Sequence, residues 1–261
     1  MSGRLDAIPG LAPLIAFIAL LIAWEATARA IGIEGLPPAS QALVQVPAIL
    51  GDPESLLNIA ASLRRMAIGF ALALCFAIPV GLTMGRSRRI AAFFNPLLMV
   101  IYPVPKAALM PIIMLWLGVG DASKTLVIFL GVTLPIIYHS YQGSRAVEEK
   151  ILWSAAAMGM GPLARLTRIV LPAALPEILV GCRTGLVLAL ITMVTSEMIA
   201  RQTGVGNILF NSLDMAQYDT VYAMILIIGG LGYALDFAFE RLHRRLVGWA
   251  APAYDIVVGT T

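Results

Sequence analysis

Six apolar runs of roughly membrane-spanning length constrain this chain more than any other feature of its sequence. A helix needs about 20 apolar residues to cross the hydrocarbon layer of a bilayer. Of the 261 residues, 59% are hydrophobic and only 13% are charged, and so few charges could not cover the exterior of a soluble protein of this length. The sequence therefore predicts an all-α integral membrane protein with about six transmembrane helices.

The runs lie at about residues 11–31, 65–86, 90–120, 124–145, 176–199 and 220–239. The third run is interrupted by "YPVPKAA", in which two prolines are predicted to break or kink the helix. The first run could instead be a signal peptide, since "ATARA" offers small residues for cleavage. It is long for a signal peptide and contains Glu25, so we interpret it as a membrane span.

Basic residues are distributed unevenly at the ends of these runs. If the N-terminus is cytoplasmic, eleven arginines and lysines lie on the cytoplasmic side and four on the outer side. Basic residues in short loops favour the cytoplasmic side, so both termini are predicted to be cytoplasmic. Arg64 and Arg65 then fall at the outer end of the second span, where this rule does not explain them.

The stretch "SAAAMGMGPLARLTRIVLPAALPEI" lies between the fourth and fifth runs and is too polar to span a bilayer. Its alanine run favours a helix over 152–158. Gly159, Gly161 and Pro162 allow a sharp reversal, and a proline suits the first turn of a new helix. Pro172 is predicted to end that helix. The pattern indicates a helix-turn-helix on the cytoplasmic surface, or alternatively a linker that rests on lipid headgroups.

The same stretch resembles the cytoplasmic motif of bacterial ABC importer permeases, which reads E-A-A, three residues, G, nine residues, I-x-L-P. Gly159 is followed after nine residues by "IVLP", and Trp153 and Ser154 stand at the motif's Glu and first Ala. Other parts of the chain are similar to the nitrate/sulfonate/taurine-type subfamily. These parts are "SLRRMAIGFALALCFAIPVGLTMGRSRRI", "PVPKAALMPIIMLWLGVGDASKTL", "TSEMIARQTGVGNIL" and "GLGYALDFAFERL".

The resemblance implies a type I ABC importer-like fold in the bacterial cytoplasmic (inner) membrane. It divides the chain into an N-terminal transmembrane helix with a periplasmic loop (1–59), a permease core (60–248) with a coupling loop at 146–176, and a cytoplasmic tail (249–261). By the same resemblance, part of the coupling loop contacts an ATPase. The residues assigned to this contact are Trp153, Ser154, Ala155, Ala156, Gly159, Gly161, Pro162, Ile169, Leu171 and Pro172.

The partners implied by the resemblance are a second permease copy, two ATP-binding cassette subunits and a periplasmic or lipid-anchored solute-binding protein. No nucleic acid is implied. The motif G-x-x-x-x-G-K-[ST] does not occur in the chain, so ATP and Mg are expected to bind to the separate ATPase. The subfamily implies a small, often anionic solute, such as nitrate, an alkanesulfonate or taurine. A vitamin precursor or an aromatic acid is the alternative.

Two other classes of function are less well supported. An ion-coupled secondary transporter usually shows inverted internal repeats, and the sequence has no convincing repeat. An intramembrane enzyme would need a catalytic motif, and neither H-E-x-x-H nor G-x-S-x-G occurs. The chain itself is therefore expected to be neither an enzyme nor a binder of a metal or cofactor.

Ionisable residues within membrane spans are costly and point to function. Arg183 and Glu197 are 14 residues apart, about 21 Å along a helix, too far to pair. Lys106 follows the break in the third run and is predicted to approach Glu197 near an outer gate. Alternatively, Lys106 extends towards the headgroups and Glu197 bonds to loop backbone. The residues predicted to line the translocation pathway are Tyr102, Pro103, Pro105, Lys106, Arg183, Ser196 and Glu197.

Overall fold

The computed structural model of the chain describes residues 11–249, with side chains from residue 14. In chain order the helices are α1 (Leu11–Ile31), α2 (Ala39–Gly51), α3 (Pro53–Arg86), α4 (Arg88–Ile101), α5 (Met110–Leu117), α6 (Asp121–Ala146), α7 (Glu149–Ala157), α8 (Pro162–Arg165), α9 (Leu171–Ala200), α10 (Val205–Asp214) and α11 (Tyr218–Leu246). A 3₁₀ turn, Lys106–Leu109, precedes α5, and a π-helical turn, Leu166–Val170, joins α8 to α9. All but the first residue of the predicted cytoplasmic tail lies outside the described residues.

The predicted number of membrane spans agrees with the structure. Five helical stretches are long and apolar enough to cross a membrane: α1 from Leu14, α3, α6, the stretch Pro162–Ala200, and α11. A sixth span results if α4 and the Lys106–Leu117 stretch count as one, and these two are bent by 84°. The break falls at the predicted prolines because Pro103 and Pro105 lack the N–H that a continuous helix requires. The all-α membrane architecture is therefore confirmed.

Helix α6 lies between α3 and α9 and forms the centre of the bundle. Small residues allow this close packing. A Cβ built on Gly81 of α3 would lie 2.5 Å from the Cβ of Ser140, and one on Gly181 of α9 would lie 2.6 Å from the Cβ of His139. Without another strong driving force inside a bilayer, such backbone contact is a main source of helix association.

The predicted start of the fifth span at Pro176 is wrong. The helix instead runs on from Pro162 to Ala200, through both Pro172 and Pro176. Pro172 was predicted to end a helix, yet it occupies the first turn of α9 directly after the π-helical turn. A proline is tolerated in a first turn because the N–H that it lacks has no intrahelical partner there. One continuous helical stretch therefore extends from the loop after the fourth span to the far end of the bundle.

Besides the predicted helix-turn-helix, two short helices, α2 and α10, lie outside the six predicted runs. Helix α2 packs against α11 and α3, and Asp52 between α2 and α3 caps α3, accepting a hydrogen bond from the Ser55 N–H at 2.8 Å. The bonds from Ser55 lower the pKa of the Asp52 carboxyl. Helix α10 follows α9 and packs against α9 and α11.

Candidate functional site

Helices α7 and α8 form the helix-turn-helix that the sequence predicts between the fourth and fifth spans, and we call residues 149–165 the α7–α8 segment. The Gly159 N–H donates to the Ala156 carbonyl and the Met160 N–H to the Ala155 carbonyl, both at 3.0 Å. This pair of bonds closes a helix with a left-handed residue after its cap. Gly159 is that residue, with φ +85°, a conformation that glycine adopts without steric cost.

Helix α8 starts as the sequence predicts, with Pro162 in its first turn and Gly161 as its N-cap. Gly161 has a φ of −66°, which any residue adopts, so only Gly159 of the two glycines is required by the backbone. Arg165 joins the two helices, with Nη1 donating to the Leu152 carbonyl at 3.4 Å. The α7–α8 segment is therefore an ordered helix-turn-helix, and we call its bend at residues 158–162 the elbow.

The α7–α8 segment has an inner and an outer face. Ala155 is buried, and Ile169 and Leu171 are partly buried against a core cluster that includes Val170 and Ile178. The remaining residues assigned to ATPase contact are exposed: Trp153, Ser154, Ala156, Gly159, Gly161, Pro162 and Pro172. The indole of Trp153 is 64% exposed and Met158 is 76% exposed. The α7–α8 segment thus presents large apolar side chains outward, which is typical of a protein contact surface.

At the opposite end of α9, the carboxylate of Glu197 is completely buried. Its Oε1 accepts from Arg65 Nη1 at 2.7 Å and its Oε2 accepts from the Gly206 N–H at 3.1 Å. The hydroxyl of Ser62 lies 2.7 Å from Oε1. A buried carboxylate is stable only when it is paired and hydrogen-bonded in this way. Glu197 therefore connects α9 to both α3 and the start of α10.

More polar residues complete this site, which we call the Glu197 cluster. Arg65 also donates from Nε to Asp121 Oδ1 at 2.5 Å and from Nη1 to the Thr203 carbonyl at 3.1 Å. Lys124 is fully buried, and its Nζ donates to the same carbonyl at 3.0 Å. The cluster comprises Asn58, Ser62, Arg65, Asp121, Lys124, Glu197 and Thr203.

The predicted pairing of Lys106 with Glu197 is wrong. Lys106 Nζ donates to the carbonyls of Ile101 and Val104, at 2.5 and 2.6 Å. These carbonyls lie at the helix break, where Pro103 and Pro105 cannot donate to preceding carbonyls. Lys106 therefore caps the end of α4, while Glu197 bonds to Arg65. The alternative, in which Glu197 bonds to loop backbone, holds in part through Gly206.

The other predicted pathway residues lie in different environments, some exposed and some buried. Tyr102, Pro103 and Pro105 are exposed at the break. Ser196 is fully buried, and its hydroxyl donates to the Met193 carbonyl at 2.8 Å. Neither Ser196 nor Glu197 reaches an open surface in this structure, which corrects their assignment to a pathway wall.

Arg183 faces α11 rather than an open channel. Its Nη2 lies 2.7 Å from Asp236 Oδ2, and its Nη1 lies 3.2 Å from Glu240 Oε2. As the sequence spacing requires, it does not pair with Glu197. The arginine instead joins α9 to α11 in the half of the bundle nearer the α7–α8 segment.

An open cleft of about 420 Å³ lies beside the Glu197 cluster, between the helix break, the end of α9 and α10. Its lining includes Ala107, Thr195 and Arg201. The Arg201 guanidinium lies 4.0 Å above the Phe210 ring and 2.8 Å from the Asp214 carboxylate. The cleft is largely apolar with one cation at its edge.

Sequence reasoning missed most of the Glu197 cluster. Ser62, Asp121 and Lys124 are far from Glu197 along the chain, and Thr203, six residues after it, lies in the short loop before α10. None of the four has an unusual local sequence. The position of Arg65 could have indicated a special role, because the positive-inside rule does not explain an arginine at that end of the second span. Burial in an ion pair with Glu197 explains why an arginine lies at this end of a span.

Comparison with known proteins decides the family. The model of the binding-protein-dependent transport system inner membrane component matches residues 77–248. The chain belongs to this family. It is the permease component of an ATP-binding cassette importer, and it is located in the inner membrane.

Relatives of the permease fall in the predicted subfamily. The taurine transport system permease protein TauC of Escherichia coli is 33% identical over 237 residues, covering 88% of this chain and 86% of TauC. The putative aliphatic sulfonates transport permease protein SsuC of Bacillus subtilis is 31% identical over 188 residues, covering 72% and 68%. The formylaminopyrimidine transport permease protein ThiX of Halalkalibacterium halodurans is 30% identical over 241 residues, covering 92% and 96%.

The permease also shares its fold with a solved structure. A chain of the inward-facing MetNI methionine ABC transporter superposes with a TM-score of 0.64 at 15% identity, covering 72% of this chain and 93% of that one. At an identity this low, the similarity shows the fold alone. The superposition confirms the type I importer architecture.

Proposed function

We propose that the permease carries a small sulfonate, such as taurine or an alkanesulfonate, into the bacterial cytoplasm. A solute-binding protein delivers this solute. The observation that carries the proposal is the 33% identity to TauC along most of both chains. The similarity to SsuC supports the same solute class. Nitrate, the other solute of this subfamily, is smaller and belongs to the same test.

A second candidate is a vitamin precursor of the formylaminopyrimidine type. ThiX favours it, because its match covers 92% of this chain at 30% identity. Such a solute is larger and aromatic. The two candidates are separated by direct measurement of binding and transport.

The experiment begins with the cognate solute-binding protein. Isothermal calorimetry with taurine, ethanesulfonate, nitrate and formylaminopyrimidine identifies the solute, and proteoliposomes that contain the permease and its ATPase then test uptake. We expect ATP-dependent uptake of a sulfonate, with the liposomes that lack the ATPase as control. Binding and uptake of formylaminopyrimidine alone would establish the second candidate, and uptake without the ATPase would refute the importer mechanism.

The ATPase is proposed to dock on the exposed face of the α7–α8 segment. Exposed Trp153 and Met158 beside the Gly159 turn support this site. In this proposal ATP and Mg bind to the ATPase, and its closure moves the elbow. Because the helical stretch Pro162–Ala200 is continuous from α8 to the end of α9, movement of the elbow is transmitted along it through the bilayer.

Two permease copies are proposed to enclose the pathway as a homodimer. The exposed residues of the helix break, Tyr102, Pro103 and Pro105, support a wall at this position, since non-helical backbone at membrane depth is tolerated against protein or a water-filled cavity. The adjacent cleft with Thr195 and Arg201 continues this surface. Cross-linking of a Tyr102→Cys variant between copies would test the arrangement.

The proposed orientation puts the α7–α8 segment in the cytoplasm and α10 in the periplasm. Met158 and Met215 are both well exposed, at 76% and 70%, so each can be replaced by cysteine in a background without Cys75 and Cys182. A membrane-impermeant thiol reagent is expected to label Met215→Cys in intact cells and Met158→Cys only after permeabilisation. The reverse pattern would overturn the orientation.

A further inference from the structure

The backbone at the start of α10 is held by side chains of other helices. The Gly204 N–H donates to Asn58 Oδ1 at 2.6 Å, the Val205 N–H to Ser62 Oγ at 3.0 Å, and the Gly206 N–H to Glu197 Oε2 at 3.1 Å. Three successive amides at the start of a helix lack intrahelical partners. Here each one has a partner on α3 or α9.

Two glycines make this approach possible. Gly204 has a φ of +118°, and a Cβ there would overlap the Glu197 carboxylate. A Cβ on Gly206 would overlap the Val194 carbonyl. The backbone of 204–206 therefore lies directly against the end of α9, with no room for a side chain between them.

Charged side chains also hold the start of α10 in place. Arg65 bonds to Glu197 on α9 and to the Thr203 carbonyl just before α10, and Lys124 on α6 bonds to the same carbonyl. Arg65, Lys124 and Glu197 are each at most 3% exposed. Ion pairs that are shielded from water hold a defined geometry, because breaking one leaves a charge buried without compensation.

We infer that Glu197 is a positioning residue that locks α10 to the outer ends of α3, α6 and α9, so that α10 presents one fixed surface to the solute-binding protein. This inference rests on the proposed delivery of solute by such a protein. The rest of α10 and the turn after it carry exposed residues, among them Asn211, Asp214 and Met215. They form a surface at the end of the bundle opposite the α7–α8 segment.

Glu197 lies on the helical stretch that leads to the α7–α8 segment, so this stretch connects the proposed docking surface on α10 with the proposed ATPase contact. The helical stretch that ends three residues after Glu197 begins at Pro162 in the α7–α8 segment, about 52 Å from Glu197 at 1.5 Å per residue. A partner that binds α10 therefore contacts the same helical stretch that begins in the α7–α8 segment. The lock sets how often α10 is in place for docking, and once a partner has bound, the connection along this stretch is the same with or without the lock.

The first test measures the lock itself. Hydrogen–deuterium exchange of the full complex in nanodiscs is compared for the native permease, Glu197→Gln and Glu25→Gln. Glu25 is a suitable control because it too pairs with an arginine, Arg29, and accepts from a backbone N–H, that of Ser40. We expect at least about tenfold faster exchange of the 203–210 amides in Glu197→Gln only, since they open by local unfolding. Unchanged exchange there would overturn the lock.

The second test measures docking. In Glu197→Gln, α10 is expected to be correctly placed in only a fraction of the molecules. The apparent affinity for the binding protein then falls in proportion to that fraction. We expect the concentration of loaded binding protein for half-maximal ATPase stimulation to rise at least about fivefold, with the maximal rate within about twofold of native. A lower maximal rate with unchanged half-saturation would mean that Glu197 only supports folding, and would overturn the inference.

A second variant and the exchange measurement separate failure of the lock from failure of folding or of the proposed function. Should Glu197→Gln fail to fold, Asn58→Ala removes the bond to the Gly204 N–H and one bond within α3, to the Glu54 carbonyl. This variant is expected to show the same changes to a smaller extent. If no binding protein stimulates the native complex, the proposed function fails, while the exchange measurement still decides on the lock.

Discussion

Arg65 Nη1 lies 2.7 Å from Glu197 Oε1, and the side chain of Arg65 is 3% exposed while that of Glu197 is not exposed at all. This contact joins α3 to α9 at the end of the bundle where α10 begins. The neighbouring Arg64 also bonds to Asp121 but is 63% exposed. The two arginines therefore provide a matched comparison of a buried and an exposed ion pair.

Replacing Arg65 by methionine is expected to destabilise the permease strongly. Removal of one partner of a buried pair costs about 3–5 kcal/mol, because the other charge stays buried without compensation. Arg64→Met should cost less than about 1 kcal/mol, as exposed pairs do. Thermal unfolding of both variants in detergent measures the difference. Equal melting temperatures for the two variants would show that the Arg65 pair does not stabilise the fold.

Gly204→Ala is expected to be among the most damaging small substitutions in the chain. It places a Cβ on the Glu197 carboxylate and forces an L-residue into a φ of +118°. Gly230 on α11 is the control, since nothing lies within 4 Å of a Cβ there. Gly230→Ala should be neutral or stabilising by up to about 1 kcal/mol, because alanine favours a helix. Yield and melting temperature of the two variants test this, and a stable Gly204→Ala permease would contradict the close packing.

Trp153→Ala is expected to weaken binding of the ATPase by at least about tenfold, because large exposed aromatic residues often dominate an interface. The melting temperature of the permease alone should not change, since the indole is 64% exposed. Trp116→Ala is the control, because the Trp116 side chain is 75% exposed on α5, outside the α7–α8 segment. Titration of the ATPase onto immobilised permease in nanodiscs gives both affinities. Native affinity for Trp153→Ala would exclude the indole from the contact.

The sequence predicted the features that depend on local chemistry. The spans follow from hydrophobic length, the break at 102–105 from two prolines, and the elbow at Gly159 from a glycine that tolerates positive φ. Each of these signals lies within a few residues of the structure that it specifies. The same holds for Pro162, which starts α8 as its fixed φ favours.

The sequence could not reveal features that depend on distant contacts. Arg65 and Glu197 are 132 residues apart, and their pairing is set by how α3 and α9 pack around α6. The pairing of Glu197 with Lys106 followed from the predicted topology, which puts both residues in the same half of the bundle. It failed because the broken helix itself offers carbonyls to Lys106. The boundary at Pro172 failed for a related reason, since a π-helical turn sets the proline where a helix tolerates it.

A separate ATPase is proposed to act on the permease through the Gly159 turn. The direct measurement is the number of solute molecules transported per ATP hydrolysed by the reconstituted complex, for Gly159→Val and for Gly32→Val. Both glycines have a positive φ and open space around them, but only Gly159 lies in the α7–α8 segment. We predict that Gly159→Val lowers this ratio at least about fivefold and that Gly32→Val leaves it near the native value. A native ratio for Gly159→Val would contradict this proposal.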